Sequence, residues 1–78
     1  MIAKKRTIVV VFHTTAEAMA LEKLCKSKGL PGRLFPVPRA LTSDCGIAWG
    51  CDPSAREALE QAIEEASLDV AGIHELSV

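Results

Sequence analysis

The chain has 78 residues, of which 49% are hydrophobic and 24% charged, and its net charge is −1. This composition predicts one domain with a thin core and argues against a disordered chain or a general nucleic-acid binder. No apolar stretch approaches the roughly 18 residues that a membrane span needs, so we expect a cytoplasmic protein with neither membrane nor nucleic-acid partners. The three cysteines cannot all pair within one chain, and a reducing compartment keeps them as thiols.

The first part of the chain predicts a strand followed by a helix. Residues 7–12 are mostly β-branched and uninterrupted, which is typical of a central strand that is buried on both faces. Thr14 and Glu17 have the spacing of a capping box, and apolar residues then recur at helical intervals until Gly29. We therefore expect the first helix to span about residues 15–28.

The remainder predicts two strands, a second helix and a last strand, over about residues 33–36, 45–51, 53–66 and 70–78. Pro36 makes the second strand an edge strand, and Asp52 with Pro53 is a typical helix start. The order β-α-β-β-α-β predicts an α+β fold, the ferredoxin-like sandwich, as a single domain over residues 1–78. Its four-stranded antiparallel sheet has two helices on one face.

In that topology the turn after the first strand and the loop between strands two and three lie at the same edge of the sheet. The residues expected to meet there are His13, Thr14, Arg39 and Cys45. Cys51 is expected at the opposite edge, beside Asp52. A third strand that is continuous from Cys45 to Cys51 places them about 20 Å apart, which excludes a disulfide between them.

Residues 36–46 contain the strongest functional signal, because two prolines, Arg39 and the pair Cys45-Gly46 occur together. The prolines restrict the loop, and Gly46 allows the backbone to approach whatever the sulfur of Cys45 holds. Arg39, His13 and the start of the first helix favour a thiolate. A small buried cysteine at the start of a strand is an equally good interpretation, and both stay open.

The other candidate residues give weaker signals. Cys25 is predicted to lie in the core, and Cys51 to be secondary because Asp52 opposes a thiolate. Arg33 is a less favoured anion-binding residue than Arg39, whose loop is held by prolines. No metal is predicted, because the chain has no C-x₂-C spacing and no His pair near these cysteines. RNA binding through the sheet is disfavoured by two Phe, one Trp and no Tyr.

The chain resembles a family of small, mostly bacterial proteins that are selenium/sulfur carrier-like. The resemblance runs from Val11 to the last strand. It rests on Phe12-His13-Thr14-Thr15, Ala20-Leu21-Glu22-Lys23-Leu24, Gly29-Leu30-Pro31-Gly32-Arg33-Leu34, Pro36-Val37-Pro38-Arg39 and Cys45-Gly46-Ile47-Ala48. The specific part is Pro-x-Pro-Arg followed by Cys-Gly. Val37 and Thr42 are mild departures from a pattern that often has Thr and Ser there.

The resemblance implies a carrier in which Cys45 holds sulfur or selenium as a persulfide or selenosulfide. Such a carrier works between donor and acceptor enzymes, needs no cofactor and need not catalyse a reaction itself. The residues expected to stabilise the anion are Arg39, His13, Thr14, Gly46 and Arg33. The alternative is a non-enzymatic module that binds a small anion or a partner and has a structural Cys45. By analogy with similar domains, a homodimer through an edge or the face around Trp49 is also open.

Overall fold

A computed structural model describes residues 6–38, 41 and 46–77. The strands are β1 (Arg6–Val11), β2 (Arg33–Pro36), β3 (Ile47–Cys51) and β4 (Gly72–Ser77). The helices are α1 (Thr15–Lys28) and α2 (Arg56–Glu65), and a 3-10 turn (Pro53–Ala55) leads into α2. The strands form one antiparallel sheet in the order β2-β3-β1-β4. The predicted ferredoxin-like βαββαβ sandwich is thus confirmed.

β1 is the central strand, as its uninterrupted apolar sequence predicts. Val10 is paired with Trp49 of β3 on one side and with Ile73 of β4 on the other. β2 lies at one edge of the sheet. Pro36 has no backbone N–H, and an edge strand tolerates this because it has no further strand on its outer side to bond to. The apolar sequence of β1 and the proline in β2 therefore predicted the positions of these two strands in the sheet correctly.

The two faces of the sheet are buried in different ways. Alternate residues of β1, including Ile8 and Val10, pack with Phe12 against Leu21 of α1 and Leu59 of α2. The opposite face buries a smaller cluster of Val9, Val11 and Ala48, against which neither of the two described helices packs. Residues of the strands and of the β2–β3 loop contact that cluster instead, namely Phe35, Val37, Leu41 and Leu76. Both helices accordingly cover the same face.

Trp49 is a core residue, and its position corrects one sequence-based expectation. The side chain is 2% exposed and belongs to the cluster under the helices. Gly32, at φ +136°, lies so close that a Cβ there would be 2.6 Å from Cζ2 of the indole. The prediction of an exposed face around Trp49 that could form a homodimer is therefore wrong, because alternation along β3 turns this side chain towards the helices.

Several element boundaries also differ from the prediction; β4, for example, begins at Gly72 and not near residue 70. β3 begins at Ile47, because Gly46 has φ +74°, a left-handed conformation that interrupts a strand. The second helix begins with a 3-10 turn after Asp52, whose Oδ1 accepts the N–H of Ser54 at 2.9 Å. None of the helices in the described part of the chain combines the length and apolar character needed to cross a bilayer.

Candidate functional site

One edge of the sheet gathers the segments that the sequence singles out. Val11 pairs with Ala48, and Ala48 pairs with Phe35. The ends of β1 and β2 and the start of β3 therefore lie at the same edge of the sheet. We call this the Val11 edge. The turn after β1 and the β2–β3 loop both start from it, as predicted. The α2–β4 connection also reaches it, because the N–H of Ala71 donates to the carbonyl of Val11 at 2.8 Å.

The β2–β3 loop is closed at its base by backbone hydrogen bonds. The N–H of Val37 donates to the carbonyl of Gly46 at 3.1 Å, and the N–H of Leu41 donates to Pro38 at 3.0 Å. The side chains of Val37 and Leu41 pack on the helix-free face of the sheet. Arg39 and Cys45, the predicted anion-binding residue and thiol, lie outside the described residues.

A shallow apolar cleft of about 280 Å³ opens beside Gly46. Its walls are Leu34, Phe35, Pro36, Gly46 and Ile47, so it lies along the edge strand at the base of the loop. Gly46 itself is exposed, and a Cβ built on it meets no atom within 4 Å, so its positive φ rather than crowding favours glycine. The residue that precedes Gly46 in the chain is Cys45. An apolar surface therefore lies next to the attachment point of the candidate thiol.

His13 and Thr14 form the start of α1 at the Val11 edge. Thr14 is the N-cap, and its Oγ1 accepts the N–H of Glu17 at 3.3 Å. The reciprocal bond of the predicted capping box is shifted by one residue: Glu17 Oε1 accepts the N–H of His13 at 2.8 Å. The same oxygen lies 3.2 Å from Nδ1 of the His13 ring. The bonds that begin the helix therefore also hold the imidazole against a carboxylate.

Asp69 completes a cluster at this edge that sequence reasoning missed. Its Oδ2 lies 4.0 Å from Nδ1 of His13, and one ligand atom each of His13, Glu17 and Asp69 lies within 4.8 Å of the others. The sequence predicts that His13 adds positive potential for a thiolate. Two carboxylates now lie beside its ring, so that contribution is offset. The hydrogen bond from Ala71 to Val11 brings Asp69 to this edge, and no local sequence pattern predicts that pairing.

Arg33 is not brought to the Val11 edge. It pairs with Gly50 at the start of β2, three residues before Pro36. At about 3.3 Å per residue, that is about 10 Å along the strand from the end of β2. Arg33 is exposed at the edge of the sheet and shares no described contact with His13, Thr14 or Gly46.

The two described cysteines are buried thiols of low reactivity. Cys25 on α1 is 0% exposed, and burial raises its pKa. Cys51 is 6% exposed at the opposite end of β3, and burial raises its pKa to about 11, with further contributions from Cys25 and Asp52. The predictions that Cys25 is a core residue and that Asp52 opposes a Cys51 thiolate are both confirmed. Neither thiol is suited to nucleophilic chemistry.

Comparison with known proteins gives one match. The sequence model of a family described as Putative Se/S carrier protein-like matches residues 7–75. The matched region includes every described strand and helix, at least in part, and the whole β2–β3 loop. Searches of curated proteins and of solved structures found no match.

Proposed function

The chain belongs to the Se/S carrier-like family, and from this premise we propose that it holds sulfur or selenium on Cys45 and relays it to a partner enzyme. The bound form is a persulfide or a selenosulfide. The observation that carries the proposal is that the other two cysteines are unreactive. Cys25 and Cys51 are both buried with raised pKa values, which leaves Cys45 as the remaining candidate for an accessible thiol.

The transfer needs no redox cofactor, because the sulfane sulfur only changes its partner. The Cys45 thiolate attacks the outer sulfur of a persulfide, R–S–SH, on a donor enzyme. A new S–S bond forms to Cys45, the donor's own S–S bond breaks, and the donor leaves as the thiolate R–S⁻. The outer sulfur keeps its proton or releases it to water. Delivery reverses these roles: a nucleophile of the acceptor attacks the outer sulfur, and Cys45 leaves as a thiolate.

The surroundings of Gly46 support docking at this loop. The Val37 to Gly46 hydrogen bond fixes the chain on the carboxyl side of Cys45 relative to the sheet. The apolar cleft next to Gly46 offers a surface on which donor and acceptor can rest in turn. Because His13 is paired with Glu17, we assign stabilisation of the bound anion chiefly to Arg39.

Intact-protein mass spectrometry after incubation with a cysteine desulfurase and free cysteine tests the proposal. We expect an adduct of one sulfur atom that is released by reductant and mapped to Cys45. Cys45→Ser should abolish the adduct, and the matched variant Cys51→Ala should retain it. Transfer of the added sulfur atom from Cys45 to an acceptor thiol would then show that the protein relays it.

A protein that acquires no sulfur, or acquires it equally at Cys25 and Cys51, would overturn the carrier role. The alternative is then the binding module. It predicts that Cys45→Ser leaves small-anion or partner binding unchanged, whereas Arg39→Ala abolishes it.

A further inference from the structure

We propose that His13, Glu17 and Asp69 bind a divalent transition-metal ion, for which zinc is the best probe. The three residues come from three segments: the turn after β1, the first turn of α1 and the α2–β4 connection. One ligand atom of each lies within 4.8 Å of the others. Cys45 is not among the three ligands, and this proposal does not depend on the carrier proposal.

The separations fit a metal at the bond lengths that zinc adopts. Zinc binds imidazole nitrogen and carboxylate oxygen at about 2.0–2.2 Å, so two ligand atoms at a tetrahedral angle are about 3.3–3.5 Å apart. His13 Nδ1 and Glu17 Oε1 are 3.2 Å apart, which needs almost no movement. Asp69 Oδ2 is 4.0 Å from the same nitrogen, and its side chain is 84% exposed, so it can close the remaining distance freely.

Two of the ligands are held in place before any ion binds. Glu17 Oε1 accepts the N–H of His13, and the N–H of Glu17 is bonded to Thr14. A carboxylate oxygen that accepts one hydrogen bond retains a lone pair for a metal. The capping hydrogen bonds thus orient these two ligands, as hydrogen bonds to the ligands do in known metal sites.

Asp69 is brought to the same place by the backbone on both sides of it. The N–H of Leu68 donates to Ile63 at 3.0 Å, and the N–H of Ala71 donates to Val11 at 2.8 Å. Val11 lies two residues before His13, and Ala71 lies two residues after Asp69. The hydrogen bond between Ala71 and Val11 therefore brings the two candidate ligands to the same edge of the sheet. The helix-capping bonds explain the contact of His13 with Glu17 but not the presence of Asp69.

The local charge also favours a cation. Two carboxylates face one imidazole, and within the described residues neither carboxylate has a Lys or Arg partner. A divalent ion would neutralise this pair. The dipole at the start of α1 opposes a cation, but its effect is small beside that of two charged ligands. Because one ligand is imidazole, zinc should bind better than magnesium, which prefers oxygen ligands and water.

Isothermal titration of the untagged full chain with zinc chloride tests the site. A Cys45→Ser background removes the Cys45 thiol as a competing zinc ligand. We expect one zinc ion per chain and no binding of magnesium. His13→Ala and Asp69→Asn should each weaken zinc binding at least about tenfold. His74→Ala, which removes the other histidine on β4, is the matched control and should leave binding unchanged.

A second measurement locates the ion. Zinc should shift the ¹⁵N resonance of His13 Nδ1 and not those of His74. Absence of saturable zinc binding in the Cys45→Ser protein would overturn the proposal. So would equal losses in His13→Ala and His74→Ala. Neither result bears on sulfur loading of Cys45, so the two proposals fail independently.

Discussion

The two places where a strand leads into a helix share a local plan but differ in chemistry. Each has a buried residue, Phe12 or Cys51, followed closely by an N-cap side chain that accepts a backbone N–H. At the start of α1 the cap is the neutral hydroxyl of Thr14. At the start of the 3-10 turn it is the carboxylate of Asp52. The difference places a negative charge beside a buried thiol at one junction only.

The comparison shows how the surroundings select which cysteine can react. A helix start normally favours an anion, and that would include a thiolate. At Cys51 this advantage is lost, because burial and then the charges of Cys25 and Asp52 hold the proton on the sulfur. At the Val11 edge Glu17 is partly buried and Asp69 is exposed, and both carboxylates lie beside an imidazole.

The largest expected effect is the protection of Cys51 from alkylation. With its pKa raised from 9.0 to about 11, the thiolate fraction at pH 8 falls about 100-fold, and burial slows access further. Iodoacetamide labelling with peptide mapping should therefore modify Cys51 at least about 100 times faster in urea than in the folded protein. Equal rates in the two conditions would contradict the contrast between the junctions.

The same shift predicts a loss of stability at alkaline pH. The unfolded thiol ionises near its ordinary pKa of 9.0, whereas the folded thiol keeps its proton until about pH 11. The native state then binds more protons, so the unfolding free energy decreases across this interval, by roughly 2 kcal/mol. Urea unfolding of the wild type and of Cys51→Ala at several pH values measures this decrease in unfolding free energy. Lysine titration is common to both proteins, so a parallel pH dependence would contradict the prediction.

The two caps should contribute similarly to stability despite their different charge. Thr14→Ala and Asp52→Ala each remove a side-chain acceptor at a helix start, and each should lower the unfolding free energy by about 1 kcal/mol. Asp52→Asn keeps an acceptor but removes the charge, so it should preserve most of the stability and lower the pKa of Cys51. Urea unfolding with thiol titration separates these effects. An Asn variant as unstable as the Ala variant would show that the charge, not the cap, matters.

The smallest expected effect concerns His13 and the reactivity of Cys45. Because Glu17 and Asp69 lie beside the imidazole, His13→Ala should change the alkylation rate of Cys45 by less than about twofold. Arg39→Ala is the comparison variant and should slow the reaction more. Stopped-flow thiol labelling in a Cys51→Ala background gives both rates. A large effect of His13→Ala would restore the role that the sequence first suggested.

The sequence predicted the fold well because its signals are local. Thr14 and Gly29 bound α1 at the expected residues, and Pro36 marks the edge strand. The prediction that β3 includes Gly46 was wrong, since the left-handed conformation of Gly46 depends on how the loop closes. Trp49 was misplaced because an apolar strand gives no sign of which side chains face the helices.

The candidate site was less accessible to sequence reasoning. His13 and Thr14 were placed at the correct edge by topology alone. Asp69 was not considered, because its approach depends on the pairing of Ala71 with Val11 at a distant point in the chain. Arg33 was grouped with the anion-binding residues, yet the register with Gly50 keeps it at the other end of β2. The positions of Arg39 and Cys45 lie outside the described residues and remain predictions.

Trp49 gives the protein a built-in optical reporter. The chain has one Trp and no Tyr, so its near-ultraviolet fluorescence arises from a single indole. That indole is 2% exposed between the sheet and the helices, and no described group accepts the hydrogen of its Nε1. Emission should therefore be blue-shifted in the native state and move to longer wavelength when the helices detach. Trp49 pairs with Val10, three residues before His13, so a spectrum unchanged by zinc would show that ion binding leaves the core intact.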